Sequence, residues 1–147
     1  MNIFKSLFDS QGSLGFFLKI YGNTYKNKAI HLITRKALIR KYDIHLGYDT
    51  FFGDDINFPH PSSIVIGERV RIGKGCTIYQ GVTIGKDNNG DYPIIENNVI
   101  IYPNSTLIGK IVVGENSIIG ANSFVNSSVQ ENSIYAGNPA KKIGDNK

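Results

Sequence analysis

Aliphatic residues return at every sixth position along most of this chain. Ile66, Ile72, Ile78 and Ile84 keep that interval, and Ile95, Ile101, Leu107, Val113, Ile119 and Val125 keep it again. Four places after most of them sits a second small or branched residue, as at Val70, Cys76, Val82, Val99, Ser105, Ile111, Ser117, Ser123 and Val129. Glycine often follows the aliphatic residue directly, at Gly67, Gly73, Gly85, Gly114 and Gly120. A helix repeats at about 3.6 residues and a half-buried strand at two, so a sustained period of six belongs to neither alone. Short strands joined by tight turns and stacked coil on coil satisfy it, which predicts an all-β solenoid.

Upstream the same interval continues in a shifted phase through Leu46, Phe52, Phe58 and Ile64. This puts a two-residue slip between Ile64 and Ile66. In that phase His60 falls two places after Phe58, between Pro59 and Pro61. Proline lacks a ladder donor and belongs at edges and bends, so His60 is expected to face out of the coil wall. A second break comes at "KDNNGDYP", residues 86–93, whose Asn, Gly and Asp content predicts an exposed loop carried by a rigid scaffold.

Ahead of the repeat, the stretch from Leu14 to Lys41 reads as helix. Phe17, Tyr21, Ile30, Ile33 and Ala37 can share one apolar surface, leaving Lys19, Lys26, Lys28, Arg35, Lys36, Arg40 and Lys41 outward. Residues 1–42 are therefore expected to cap the open end of a solenoid formed by residues 43–147, with the loop at 86–93 inserted in it. The basic helix also admits a weak membrane-surface contact.

Bulk properties narrow the picture further. With 147 residues, 41% of them hydrophobic, the chain suits one domain with a modest core. The longest apolar candidate for a membrane span, "LGFFLKIYG", is interrupted by Lys19, and the first ten residues lack a cleavable signal pattern. One cysteine excludes an internal disulfide and fits a cytoplasmic setting. Cys76 occupies a regular inward slot and reads as core. A net charge of +4 suits an anionic partner without choosing one, and nothing points to nucleic acid.

From Asp43 to Ile143 the sequence resembles the left-handed parallel β-helix acyltransferases of the hexapeptide-repeat superfamily. The residues that carry the likeness are "HPSSIVIGERVRIG", "IYQGVTIG", "YPIIENNVIIYPNSTLIG", "VVGENSIIGANSFV" and the closing "AGNPAKKIG". Within that superfamily it is similar to the serine acetyltransferase-like branch, which includes short sugar and capsule O-acetyltransferases. The resemblance implies triangular coils of three hexads, a homotrimer, and acetyl-CoA as co-substrate in a groove between neighbouring subunits.

It also implies a chemistry. A free alcohol is a poor nucleophile at neutral pH, and an imidazole can take its proton as the oxygen attacks a thioester, then return it to the leaving thiolate. His60 holds the family position for that general base. The orienting carboxylate in relatives comes from an "Asp-Ile-His" stretch, matched here by Asp43, Ile44 and His45, while Asp49, Asp54 and Asp55 lie nearer in sequence. On the donor side the resemblance assigns Gly120, Ala121 and the small Ser105 to the pantetheine, and Lys141 or Lys142 to the CoA phosphates. Serine-specific relatives place an arginine and a histidine just before the proline that re-enters the coil, where this chain reads Asp91 and Tyr92. That departure favours a sugar or polysaccharide-precursor hydroxyl as acceptor, with Tyr92 stacking on a pyranose and Asp91 bonding its hydroxyls. Serine O-acetylation for cysteine synthesis is the alternative. No metal is expected, because a zinc-dependent carbonic anhydrase on the same solenoid needs three histidine ligands and only His60 lies near a regular coil. A non-enzymatic solenoid with a regular outward ladder of threonine or charge does not fit the irregular exposed positions.

Overall fold

The computed structural model describes Leu14, Gly15, Leu18, Tyr21, Gly22 and residues 27–147. Phe17, Lys19 and Lys26 of the expected helical stretch lie outside the described residues. The six-residue beat becomes three parallel ladders that form the walls of a prism. The first sheet runs β1 (Ile44–Leu46), β3 (Ile64–Ile66), β6 (Thr83–Gly85), β9 (Thr106–Ile108) and β12 (Phe124–Val125). The second runs β2 (Phe51–Phe52), β4 (Arg71–Ile72), β7 (Ile94–Ile95) and β10 (Val112–Val113). The third runs β5 (Thr77–Ile78), β8 (Ile100–Ile101), β11 (Ile118–Ile119) and β13 (Ser133–Gly137), closed by an antiparallel strand β14 (Ala140–Asp145). Each coil visits the three sheets in turn and changes direction at three corners.

The aliphatic beat fills the prism. Ile66, Ile72, Ile78, Ile84, Ile95, Ile101, Leu107, Val113, Ile119 and Val125 are all buried, and so are the second-slot residues. Burying a branched aliphatic side chain contributes about 1.5–3 kcal/mol, and β-branched residues suit the short pleated strands. Where the small slot is serine, its hydroxyl donates to the turn carbonyl three residues back, as from Ser117 to Gly114 and from Ser123 to Gly120, both at 2.6 Å. Coils stack so closely that a Cβ at Gly73 would lie 2.7 Å from the Glu96 carbonyl carbon, which explains the glycine after the aliphatic beat.

Corner residues adopt the left-handed region repeatedly. The corner between the second and third sheets carries Gly75 (φ +67°), Asn98 (56°), Asn116 (56°) and Asn132 (51°) one above another. Asn98 Nδ2 donates to Asn116 Oδ1 at 3.2 Å and Asn116 Nδ2 to Asn132 Oδ1 at 3.1 Å, a side-chain ladder along the prism edge.

The two extra residues of the first coil are not between Ile64 and Ile66, as the phase count predicts. Phe52 pairs with Ile72 and Asn57 with Thr77, twenty residues on, while Val65 pairs with Thr83, eighteen on. The insertion therefore lies in the corner after Asn57, the segment that carries His60. Ile64 and Ile66 both point inward as alternate residues of β3 around an exposed Val65, so a hexad count slips there although the backbone does not.

A helix, α1 (Lys28–Tyr42), leads into the first coil. Asn27 caps it by accepting from the Ile30 amide at 3.3 Å, and Asp43 ends it with φ 52°. Its buried face is His31, Thr34, Leu38 and Tyr42. This corrects the expected face, since Ile30 and Ile33 are 42% and 66% exposed and Arg35 turns inward over the Tyr48 ring at 4.5 Å. Aliphatic residues occur all round α1, so aromatic contacts choose the face. The His31 ring lies 4.4 Å from that of Tyr21 and 5.3 Å from that of Tyr48, and the Tyr21 hydroxyl donates to the Gly47 carbonyl. Among the described residues no helix is long and apolar enough to cross a membrane.

Candidate active site

The residues singled out in the sequence divide between two corners of the prism. His60, Asp43, Gly120 and Ala121 lie at the corner between the third and first sheets. Asp91 and Tyr92 lie at the corner between the first and second. Within one chain the two groups stand at opposite edges of the first sheet.

At the first of these corners the insertion lets the "FPHP" segment bulge from the wall. His60 is exposed, with its ring centroid 6.3 Å from that of Tyr79, which in turn stacks on Tyr102 at 5.2 Å. These rings line one edge over three successive coils, and the next coil replaces them with Gly120 and Ala121. Asp43 sits on the same edge but is not hydrogen-bonded to His60. Its Oδ2 accepts from Ser63 Oγ at 2.8 Å, and its Oδ1 lies 3.2 Å from His45 Nε2. The Ser63 hydrogen bond, and then His45, hold the Asp43 carboxyl below its usual range, so it is an anion at neutral pH.

The donor-side residues differ in what they offer. Ser105 is fully buried, and its hydroxyl donates to the Gly120 carbonyl at 2.8 Å, so its side chain fastens two coils from inside and cannot line an outer groove. The donor-side expectation for Ser105 therefore concerns its main chain and not its hydroxyl. A small slot faces inward in every coil, and smallness there reflects interior volume. Gly120 also accepts from Ser123 and donates its amide to Tyr135, whereas Ala121 is exposed. A Cβ at Gly120 would lie 2.9 Å from that of Ala136, so the closing strands rest directly on this step. Lys141 and Lys142 are exposed on β14, and Lys142 is engaged with Asp145 at 2.8 Å and Gln130 at 3.2 Å.

At the other corner the loop 86–93 is organised by one carboxylate. Asp87 Oδ1 accepts from the amides of Asn89 and Asp91 at 2.9 and 3.0 Å. Tyr92 does not stand free. Its ring folds back on the wall, with Cε1 2.8 Å from where a Cβ of Gly67 would be, which explains the glycine at 67. Tyr92 thereby helps to enclose a cleft of about 420 Å³ on the outer face of the first sheet, together with Arg35, His45, Glu68 and Lys86. The sequence does not announce this cleft, because Arg35 reads as an outward charge, Lys86 as the first residue of an exposed loop, and Glu68 only as part of the repeat. Cys76 is buried; burial pushes its thiol up, and Sγ donates to the Glu96 carbonyl at 3.0 Å.

Residues 92–127 match the family described as bacterial transferase hexapeptide (six repeats). The chain is 40% identical over 122 residues to a serine acetyltransferase of Staphylococcus xylosus, covering 78% of this chain and 56% of that protein. It is 32% identical over 131 residues to the serine acetyltransferase of Haemophilus influenzae, covering 87% and 48%. A solved serine acetyltransferase in complex with CoA superposes with a TM-score of 0.84 at 28% identity, over 95% of this chain and 60% of that one. The chain spans about half the length of the curated relatives it matches. These relatives overturn the expectation of a sugar or polysaccharide acceptor. The Tyr92 ring, expected to stack on a pyranose, is packed on Gly67.

Proposed function

With its coils set among the hexapeptide-repeat transferases, we propose that this chain forms the solenoid of a serine O-acetyltransferase, moving acetyl from acetyl-CoA to the hydroxyl of L-serine. The observation that carries the reading is the run of serine acetyltransferases at 32–40% identity across 78–87% of the chain. In this reading His60 is the general base. The serine oxygen attacks the thioester carbonyl as the imidazole takes its proton, and the imidazolium returns that proton to the CoA thiolate as the C–S bond breaks. Asp43, anionic and on the same edge, steadies the positive charge that develops there. The exposed Ala121 and the neighbouring closing strands suit the pantetheine arm, with Lys141 near the phosphates.

His60 is not among the residues that line the cleft on the first sheet. The reading therefore takes the protein as a homotrimer in which the base of one copy faces the cleft of the next.

The test is CoA release from acetyl-CoA and L-serine, followed with a thiol reagent. Replacing the base costs about 10²–10⁴-fold in turnover, and because His60 is exposed the melting temperature should not move. Wild-type protein inert toward L-serine refutes the acceptor. A His60→Ala variant as active as wild type removes His60 from the mechanism.

A further inference from the structure

The cleft on the first sheet holds charges that do not neutralise one another. Arg35 reaches it from α1, Glu68 from the turn after β3, and Lys86 from the turn after β6. Among the described residues none of the three forms an ion pair, so the cations and the carboxylate stand more than 4 Å apart. Asp43, the acid nearest the cleft's histidine, is already bonded to Ser63 and His45. Between the charges the floor is the outer face of the first sheet, where His45, Val65 and Thr83 point outward, while Leu46 and Ile84 turn their side chains into the core.

Arg35 is the group held most firmly. Its guanidinium lies 4.5 Å over the Tyr48 ring, and its Nε is buried with no hydrogen-bond partner among the described residues. A guanidinium stays charged at any physiological pH and presents its donors as a planar fork, and stacking on an aromatic face fixes that fork's direction. The Nε is enclosed and out of a ligand's reach, but the terminal nitrogens have no hydrogen-bond partner among the described residues either, so that end of the fork is the one left for an anion. Lys86, exposed on a flexible stem, offers charge without direction. Asp91 and Tyr92, at the same corner, supply no cation.

We propose that this cleft is the acceptor's zwitterion subsite, in which Arg35 receives the carboxylate and Glu68 the ammonium of an α-amino acid. The inference rests on the serine reading and deepens it, because it names how the chain distinguishes an amino acid from other small alcohols. A ligand bearing both charges bridges the gap that Arg35 and Glu68 leave open, and a neutral alcohol leaves both unanswered.

The experiment uses the full chain with L-serine, serinamide, which lacks the carboxylate, and 3-hydroxypropanoate, which lacks the ammonium. Arg35→Gln should raise KM for L-serine about 10–100-fold, the loss of a charge-assisted pair, while KM for acetyl-CoA and for serinamide stays put. Glu68→Gln should raise KM for L-serine and leave 3-hydroxypropanoate unchanged. If Arg35→Gln does not fold, Arg35→Lys, which keeps the charge and loses the fork, and the exposed Glu68→Gln carry the same comparison. Serine turnover with KM unmoved in the Arg35 variants overturns the subsite and leaves the function standing. If the wild type does not turn over serine, the function falls, and the thermal shift produced by L-serine decides the subsite alone: a shift that Arg35→Gln abolishes supports it, and no shift in wild type overturns it.

Discussion

In the upper coils, from β7 to β12, paired residues stand eighteen apart in all three sheets, as with Ile94 and Val112, Ile100 and Ile118, and Thr106 and Phe124. In the first coil the spacing is twenty, a helix packs against the end, and His60, Asp43, His45 and Arg35 all gather there. The upper coils meet their hydrogen-bonding needs internally, through serine hydroxyls and an asparagine ladder. The first coil leaves an imidazole outside, an arginine Nε unpartnered, and a cleft open. A strict repeat satisfies its own polar groups coil by coil, so groups free to act on a ligand arise where the repeat is interrupted.

The largest expected effect breaks the regular region. Asn116→Val removes two ladder hydrogen bonds and forces a β-branched residue to φ 56°. Together these should cost about 2–4 kcal/mol, which a urea denaturation midpoint reads directly. Asn116→Gly, which tolerates the backbone and loses only the side-chain bonds, should cost less than half as much. Turnover per folded molecule should be unchanged in both. If it fell with Asn116→Val at full folding, the separation between a structural edge and a chemical edge would fail.

How far this division is legible in the sequence depends on which signal each region sends. The upper coils announce themselves, since burial at every sixth position leaves a count that survives any detail of the turns. The corner asparagines carry a further signal, which the hexad count passes over. Asn98, Asn104, Asn116, Asn122 and Asn132 each stand immediately before a small slot, and all five have positive φ, which asparagine tolerates better than most residues. The first coil is harder. Ile64 and Ile66 both face inward, so the count alone shifts the insertion from the His60 corner into β3. The face of α1 is set by rings from Tyr21 and Tyr48, distant along the chain, and not by its own apolar residues. Arg35 looks like any solvated basic residue until that face is known.

A smaller effect sharpens the contrast from the other end. His31 is buried between Tyr21 and Tyr48, and burial, followed by the nearby Arg35 charge, holds its imidazole below the ordinary value of 6.5. Above 6.5 both folded and unfolded chains carry it neutral, and its contribution to stability is whole. As the pH falls below 6.5 the unfolded chain binds a proton that the folded one refuses, so stability drops until the folded value is passed. The slope from this one group is at most about 1.4 kcal/mol per pH unit. Asp43, whose carboxyl is held below 3.8, titrates lower and does not share this window. Denaturation midpoints between pH 7 and 5 should decline in the wild type and flatten in His31→Phe, and an unchanged slope would show that the lower end is not anchored by a neutral imidazole.

The smallest effect concerns the one place where the upper, regular end is expected to meet a ligand. Lys141 and Lys142 are adjacent on β14, yet their surroundings differ. Lys142 is held by Asp145 and Gln130, while Lys141 has neither contact. A phosphate near this strand would therefore find Lys141 available and would have to compete with a carboxylate for Lys142. Exposed ion pairs contribute about 0–1 kcal/mol, so Lys141→Ala should raise KM for acetyl-CoA only about two- to fivefold. The effect should fade as salt rises, because an exposed charge is screened beyond about 10 Å at 0.1 M. Lys142→Ala should do less, and KM for L-serine should not move in either variant. Kinetics with acetyl-CoA at low and moderate salt decide it. Equal effects at the two lysines would mean that the Asp145 contact does not restrain Lys142 in solution, whereas no effect at either would leave the closing strands as a lid on Gly120 and Ser123 with no part in holding the donor.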